Sequence, residues 1–389
     1  MTASRGAVLH TLCILVLMSQ LGSCTEVAPS GVPSSTADYT DPWSDNSETV
    51  DYSDFVQQCQ KEDVRSFRRT FLPAVYTLVC LLGLLGNGLV VLTYLYYKRL
   101  RTMTDVYLLN LALADLLFLL TLPFWAVSVV RQWLFGRAMC KAVHGLYRLS
   151  FISGMLLLMC ISIDRYFSIV RAASAHRLRS RAVYCSKLVS VGVWLFSAVF
   201  SVPELIYSDE QTVEDTVRCR MNQDNTTFIY TTSLQLSFGF LLPLLVMTFC
   251  YCVVVRTLLL ARNFEKNKAI KVIIAVVLVF LLFQLPYNSV LLIDTIADVN
   301  ATVTDCALSK RMTMALDISK SLAYVRCCLN PFLYAFIGVK FRNDLLKLLK
   351  ELGCVSSEKL LKLATMRPTA SGVRTTVVTD TDSTTTYSP

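Results

Sequence analysis

The sequence predicts an all-α membrane protein, a bundle of seven transmembrane helices followed by a short amphipathic cytoplasmic helix. Its composition is one reason: 54% of the 389 residues are hydrophobic and only 17% are charged, against roughly 25% in ordinary globular proteins. The distribution is the other, because the segments 71–97, 188–203, 225–255 and 272–293 contain no Asp, Glu, Lys or Arg. Three of these segments reach the roughly 20 residues that one span needs. Long helices without a polar face do not suit a soluble core.

The chain begins with a predicted signal peptide, residues 1–24. Arg5 supplies a positive charge, residues 7–18 are apolar, and small residues follow at 22–24. A signal-anchor helix is the alternative, but the apolar stretch is short for a span and includes His10. Cleavage would leave an acidic N-terminal tail, residues 25–69, outside the cell.

Seven spans follow the tail. They are predicted at 70–97, 105–130, 141–170, 186–207, 227–256, 268–295 and 312–338. Charged residues inside the second, third and seventh spans or near their ends include Asp115, Arg148, Lys320 and Arg326. Charges at membrane depth normally face the bundle interior or a water-filled cavity, so these four are functional candidates.

The loop charges predict the orientation of the bundle. Lys and Arg cluster after the first, third, fifth and seventh spans, which the positive-inside rule assigns to the cytoplasm. The opposite loops are mixed or acidic, and the segment 204–224, which begins with Glu204, holds six carboxylates and two arginines. The N-terminus is therefore predicted outside and the C-terminus inside. Two glycosylation sequons, at Asn225 and Asn300, fall in loops assigned to the outside.

Four cysteines are predicted at the outer face, namely Cys59, Cys140, Cys219 and Cys306. An even number in an oxidising compartment indicates two disulfides, and three connectivities are possible. The sequence suggests no metal site, because it has only three histidines and no Cys-x-x-Cys pair.

Polar motifs recur at one place in each of several spans. Asp164-Arg165-Tyr166 ends the third span, Asn87 interrupts the first, and Asp115 lies in the second. Asn330-Pro331 is followed by Tyr334 in the seventh. In this order the motifs resemble the rhodopsin-like G-protein-coupled receptors, over about residues 71 to 350. TLPFWA at 121–126, Trp133 before FGRAMC, and the four outer cysteines resemble the chemokine receptors within that family.

The resemblance implies a function and a set of partners. It implies the disulfides Cys140–Cys219 and Cys59–Cys306. It implies a plasma-membrane receptor for basic CC chemokines that activates an inhibitory-type heterotrimeric G protein to direct cell migration. Receptor kinases and arrestin would act on its phosphorylated tail, and the lipid bilayer surrounds it. No nucleic-acid partner is expected.

The resemblance also implies an internal switch. Asp164 would hold Arg165 at rest, Tyr251 and Tyr334 would rearrange on activation, and Pro286 would kink the sixth span. The other residues of the switch are Tyr166, Gln284, Asn330 and Pro331.

Asp115, Asn87 and Asn330 would form a polar cluster that in the family often holds a sodium ion. No other cofactor is expected. The sequence departs from the family pattern here: Arg326 and Gly154 stand where other residues are commoner near the sodium site. Gln284 replaces the usual Trp two residues before Pro286. These departures argue against the sodium ion and against an aromatic pivot.

Two zones are predicted to contact the ligand. The first is the acidic stretch 37–55, in which Tyr39 and Tyr52 resemble sulfation sites; a tail that only solubilises the protein is the alternative. The second is the mouth of the bundle, with Tyr76, Trp125, Tyr147, Arg148, Asp294 and Lys320.

The C-terminal region predicts an amphipathic helix at 339–352 on the inner leaflet, with Cys354 as a palmitoylation site. Residues 353–389 are rich in Ser and Thr, which is typical of a disordered segment controlled by phosphorylation.

Three other functions compete with this interpretation. A transporter would show an internal repeat, and none is visible. An enzyme would need a catalytic cluster, and none appears at the membrane faces. A scavenging chemokine receptor without G-protein signalling stays open, although such receptors tend to have altered versions of the motif that is intact here at 164–166.

Overall fold

The computed structural model describes residues 59–97, 100, 102–170, 179–213, 216–222, 225–260, 266–299, 305–337 and 339–351. The fold is a bundle of long helices with one two-stranded antiparallel sheet. The elements are, in chain order, α1 (Glu62–Tyr97), α2 (Met103–Leu119), α3 (Leu122–Val130), α4 (Gly136–Val170), α5 (Arg179–Phe200), α6 (Val202–Tyr207), β1 (Ser208–Val213), β2 (Thr216–Met221), α7 (Asn225–Leu236), a π-helical turn (Ser237–Leu241), α8 (Leu242–Leu260), α9 (Lys266–Val299), α10 (Cys306–Ile337) and α11 (Val339–Glu351).

The membrane-spanning character predicted from composition is confirmed. Six helical segments of the described residues are long and apolar enough to cross a membrane, with α2 and α3 counted together, as are α5 with α6 and α7 with α8. The seventh predicted span corresponds to α10, which is 32 residues long but carries five charged residues. The amphipathic segment predicted at 339–352 is the helix α11.

Local sequence explains where several helices begin and break. Thr102 and Asp105 form a reciprocal capping box at the start of α2: the Thr102 hydroxyl accepts from the Asp105 amide, and the Asp105 carboxylate accepts from the Thr102 amide. The predicted second span is divided into α2 and α3 just before Pro123, which lies in the first turn of α3. The predicted fourth span is divided in the same way just before Pro203 in α6. Pro286 lies inside α9.

Helix α1 begins earlier than the sequence predicts. Its first residue is Glu62 rather than residue 70, so part of the segment assigned to the tail is helical. The added turns carry charged residues that hydropathy cannot assign to a membrane. They form a helix because α10 supplies partners for them, as described below.

The core lies around α4, because more than half of the residues in its most apolar stretch are buried. One apolar cluster joins α4 to α2, α8 and α9 through residues such as Leu111, Met155 and Val254. A second cluster joins α1, α2 and α10 around Leu119 and Cys327. The two clusters hold the helices at fixed positions around a polar interior.

The hairpin of β1 and β2 lies at the end of the bundle where Cys59, Cys140, Cys219 and Cys306 are found, called here the disulfide end. Glu210 on β1 is paired with Cys219 on β2 in an antiparallel register. The other end of the bundle contains residues 164–166 and is called here the opposite end.

Candidate functional site

Two disulfides bound the disulfide end. Cys59 is bonded to Cys306, and Cys140 is bonded to Cys219, with Cα–Cα distances of 5.4 and 5.6 Å. These are the two pairs that the resemblance implies. The first joins the start of α1 to the start of α10 across 247 residues of sequence, and the second ties β2 to the first turns of α4.

Ion pairs reinforce the join between α1 and α10. Arg68 lies within 2.8 Å of the Asp317 carboxylate, which is 8% exposed. Nearer the end of the bundle, Lys310 lies 3.2 Å from Asp63. These contacts give the charged first turns of α1 partners on α10, which explains their helical structure outside the apolar segment.

An aromatic cluster lies below the opening of the disulfide end. The ring of Tyr324 on α10 is 5.7 Å from that of Tyr76 on α1 and 6.1 Å from that of Tyr147 on α4. Phe118 on α2 contacts both Tyr147 and Tyr324. Tyr76 and Tyr147, two of the predicted mouth residues, therefore lie in one cluster, and a third, Lys320, lies beside it.

Lys320 is the cation of this cluster. Its ammonium nitrogen lies 5.6 Å from the ring centre of Tyr147 and 5.9 Å from that of Tyr324, a double cation–π arrangement. Among the described residues, none of the ion pairs includes Lys320, which is partly buried. The Asp317 carboxylate on the same helix interacts with Lys320 electrostatically but is paired with Arg68.

Trp125 packs against the cluster that contains Tyr76, Phe118 and Tyr324 and also against the group around the Cys140–Cys219 disulfide. Its ring packs edge-on against His144 at 4.7 Å and lies 6.3 Å from Trp133. The indole nitrogen of Trp125 is buried and has no hydrogen-bond partner within the described part of the chain. Asp294, another predicted mouth residue, lies partly buried on α9.

Within the part of the chain that the structure describes, one set of potential metal ligands lies at this end, formed by Cys140, His144 and Cys219. Both sulfur atoms belong to the disulfide and cannot act as thiolate ligands. The set is therefore part of the packing around the disulfide.

Arg148 is not available as a free cation. Its guanidinium donates to the Glu204 carboxylate and to the Gln235 side-chain oxygen, and Gln235 in turn donates to the Tyr287 hydroxyl at 3.2 Å. Glu204 is 2% exposed on α6, although the sequence interpretation counts it with the acidic outer loop. Glu204 also falls in the predicted fourth span, 186–207, and its burial beside Arg148 gives the carboxylate a partner that the sequence does not reveal.

A polar group in the middle of the bundle joins α1, α2 and α10. Asp115 accepts a hydrogen bond of 2.6 Å from the Asn330 amide. Asn87 donates to the backbone of Gly83 and, at 3.1 Å, to that of Cys327 on α10. The predicted proximity of Asp115 and Asn330 is therefore present, while Asn87 bonds to the backbone rather than to the carboxylate.

Gln284 and Pro286 lie on α9 beside this group. Gln284 is 1% exposed, and its amide nitrogen lies 3.5 Å from the Ala323 carbonyl oxygen on α10. Its side-chain oxygen has no hydrogen-bond partner among the described residues. A polar side chain thus occupies the interior position where the family usually has an aromatic one.

The residues at the opposite end are arranged differently from the expected resting switch. The Asp164 carboxylate accepts a hydrogen bond from the Thr104 hydroxyl. Within the described residues, no ion pair joins Asp164 to Arg165. Ser162 donates to the Tyr251 hydroxyl at 3.0 Å, which connects α4 to α8, and the ring of Tyr166 packs near Phe249.

Several predicted residues lie outside what the structure describes. Tyr39, Tyr52, Asn300 and Cys354 belong to this group. Asn225 is the first residue of α7, two residues before the predicted span, and Pro331 and Tyr334 lie in α10.

The chain matches the family model "7 transmembrane receptor (rhodopsin family)" over residues 86–334. It is 56% identical to the C-C chemokine receptor type 7 of Homo sapiens over 353 residues, which cover 90% of this chain and 93% of that receptor. It is 55% identical to the Mus musculus type 7 receptor, again over 90% of this chain and 93% of that receptor. It is 42% identical to the Homo sapiens C-C chemokine receptor type 9 over 84% of this chain and 90% of that receptor. The stretches 86–115, 262–276 and 334–345 resemble the type 7 receptors.

Proposed function

The chain belongs to the rhodopsin family of seven-transmembrane receptors and, within it, to the chemokine receptors, and on this basis we propose that it binds basic CC chemokines at the plasma membrane. The family is one of receptors and not of enzymes. The proposal includes activation of an inhibitory-type heterotrimeric G protein, which would direct cell migration. It places the disulfide end outside the cell and the opposite end in the cytoplasm, as the loop charges favour.

The observation that carries the ligand-binding proposal is the position of Lys320. A cation held over the Tyr147 and Tyr324 rings, with no direct ion pair among the described residues, can form one with a carboxylate of a ligand. Arg148 cannot serve in this way, because Glu204 and Gln235 already engage it. The segment of the ligand that enters the mouth is therefore proposed to carry an acidic side chain.

The acidic tail supports a second contact, with the basic body of the ligand. The stretch 37–55 contains six carboxylates and no Lys or Arg. Such a segment raises the encounter rate and the local concentration of a cationic partner. Sulfation of Tyr39 and Tyr52 would add fixed negative charge to it. The tail enters the described bundle at Cys59, whose disulfide joins it to α10.

The opposite end supports the proposed coupling. Arg165 is not held by Asp164 through an ion pair in the described residues, and Tyr251 is bonded to α4 through Ser162. The hydrogen bond between Ser162 and Tyr251 is one link among several between α4 and α8, which also share apolar contacts. A rearrangement of Tyr251 would break this link at a cost of roughly 0.5–1.5 kcal/mol, the contribution of a neutral hydrogen bond. The proposed partners at this end are the G protein and, after phosphorylation of residues 353–389 by receptor kinases, arrestin.

The proposal includes further modifications that follow from the orientation. Asn225 and Asn300 are proposed glycosylation sites on the outside, and Cys354 after α11 is a proposed palmitoylation site on the inside. A membrane transporter stays a remote alternative, since the buried charges described here are each close to a partner or to aromatic rings.

The experiment that tests the ligand class is a binding panel. Cells that display the receptor are exposed to labelled basic CC chemokines, to chemokines of the other classes, and to an acidic protein of similar size. We expect saturable binding of at least one basic CC chemokine, weakened by added salt. Surface expression with no binding of any basic CC chemokine would contradict the proposal.

A further inference from the structure

Asp115 is the most deeply placed carboxylate in the middle of the bundle, and it has a charged neighbour. It is 2% exposed, and its Oδ2 accepts the hydrogen bond from Asn330. Its other oxygen, Oδ1, lies 3.9 Å from Nη2 of Arg326 on α10. A buried carboxylate is costly without a compensating charge, so the guanidinium at this distance is its counter-ion.

Gly154 lies beside the Arg326 guanidinium, and its lack of a side chain leaves room for that group. A Cβ atom built at Gly154 would lie 3.7 Å from Nη2 of Arg326. This is ordinary van der Waals contact, so any polar side chain longer than a methyl group would extend toward the guanidinium. Arg326 and Gly154, the two departures from the family pattern at this place, are therefore adjacent and complementary in the structure.

A sodium ion does not fit the same site. Hard cations take oxygen ligands, but the groups beside the Asp115 carboxylate are the Asn330 amide, which donates through nitrogen, and the Arg326 guanidinium. Gly154 offers no side-chain oxygen. A second positive charge beside a buried guanidinium would also be repelled in a medium that screens weakly. The residues present thus conflict with the ion that the resemblance implies.

The Arg326 guanidinium has N–H groups without hydrogen-bond partners among the described residues. Its Nε and Nη1 are buried and have no hydrogen-bond partner among the described residues. Arg326 lines a cavity of about 20 Å³ together with Gln284 and Asp115. This exceeds the roughly 10–15 Å³ that one ordered water needs. The side-chain oxygen of Gln284 is an acceptor that also lacks a partner among the described residues, so the two residues that carry the unpaired donors and the unpaired acceptor both line one water-sized cavity.

We propose that the Arg326 guanidinium is the built-in cation of this receptor: it neutralises Asp115 in place of sodium and is linked to Gln284 through an ordered water. The interior of the bundle is then joined from α2 through α10 to α9 by one polar network. The departures from the family pattern at Gln284 and Arg326 therefore belong to this one network. It replaces both the removable ion and the aromatic pivot, and it does not depend on which ligand binds.

The first test is the response of the purified receptor to sodium. Its unfolding temperature in detergent is measured in sodium chloride and in choline chloride of equal ionic strength. We expect the same temperature in both salts, because the cation site is already filled by Arg326. An increase produced by sodium in the unmutated receptor would overturn the proposal.

Two variants extend this test. In Arg326→Asn the guanidinium is replaced by a small amide that offers an oxygen, so sodium should now raise the unfolding temperature. Arg311→Asn, at an exposed site on the same helix α10, removes one charge elsewhere and should leave the receptor insensitive to sodium. A folded Arg326→Asn receptor that stays insensitive would contradict the assignment of Arg326 as the cation.

The link to Gln284 is tested by a double-mutant cycle on the unfolding temperature. Gln284→Leu should lower the temperature of the unmutated receptor more than it lowers that of Arg326→Asn, because the water-mediated contact is already lost in the second case. Strictly additive effects would exclude the link. If Arg326→Asn does not fold because Asp115 is left unpaired, the Asp115→Asn/Arg326→Asn receptor, which removes both charges, serves as the background.

Discussion

The guanidinium of Arg148 donates to the carboxylate of Glu204, which joins the middle of α4 to the short helix α6 in the interior of the bundle. Both side chains are nearly inaccessible, at 11% and 3% exposure. Because neither charge can be solvated if its partner is removed, this pair is expected to be a stability determinant rather than a ligand contact.

Replacing one partner of this pair should destabilise the receptor strongly. We expect Arg148→Met to cost about 3–5 kcal/mol, since it leaves Glu204 buried and unpaired. The double variant Arg148→Met/Glu204→Leu should recover most of the loss, because no uncompensated charge remains. The measurement is thermal unfolding of the detergent-solubilised receptor without ligand.

Arg137 provides the matched control, because it forms an ion pair of 2.9 Å with Asp209 in which its side chain is 66% exposed. Exposed pairs contribute about 0–1 kcal/mol, so Arg137→Met should change the unfolding temperature little. Equal losses for Arg137→Met and Arg148→Met would show that burial does not determine the effect.

Removal of the Lys320 charge should weaken ligand binding without unfolding the receptor. We expect Lys320→Met to raise the dissociation constant of the basic CC chemokine by roughly 10-fold or more, because a charged hydrogen bond contributes about 1.5–3 kcal/mol. Equilibrium binding to intact cells is the measurement. Lys310→Met removes another lysine of α10, one that is paired with Asp63 of α1, and should weaken binding less. A larger loss of affinity in Lys310→Met than in Lys320→Met would refute the role of Lys320.

The acidic tail should contribute binding through its tyrosines. Tyr39→Phe/Tyr52→Phe removes both proposed sulfation sites and should weaken chemokine binding and flatten its dependence on salt, because fewer charge contacts remain to be screened. Affinity is measured at several salt concentrations. Trp43→Phe in the same stretch keeps both tyrosines and is the control. Unchanged affinity and salt dependence in the double variant would mean that the stretch is only a spacer.

The positions of the spans could be predicted from the sequence because burial in lipid requires uninterrupted apolar segments. The proximity of Asn330 and Asp115 followed from the resemblance to the family, which implies a polar cluster of these residues. The disulfide pairs followed only from the resemblance to a family. Spacing alone leaves three pairings open.

The start of α1 and the role of Glu204 could not be predicted. The first turns of α1 are stabilised by α10, for example through Arg68 and Asp317, and such long-range partners leave no local signal. Glu204 stands at the boundary between an apolar span and an acidic loop, where neither hydropathy nor charge shows which way it faces. Pro203 beside it, inside the predicted span, was the available indication of a break in the helix there.

A close ion pair between Asp164 and Arg165 is also absent from the described residues, where Thr104 donates to Asp164 and the arginine interacts with the carboxylate at longer range. A short hydroxyl on the neighbouring helix α2 competes for the carboxylate, and no property of residues 164–166 alone reveals it. Arg165 is therefore not tied to Asp164 by a close ion pair and could contact a partner at the opposite end of the bundle, as the proposed coupling requires.

The most direct measurement of that coupling is inhibition of cAMP formation by a bound basic CC chemokine, compared between the unmutated receptor and Arg165→Ala. The proposed function predicts dose-dependent inhibition in the unmutated receptor and its loss in Arg165→Ala, with ligand binding and surface expression retained. Binding without any G-protein response in the unmutated receptor would contradict it and would indicate a scavenging receptor.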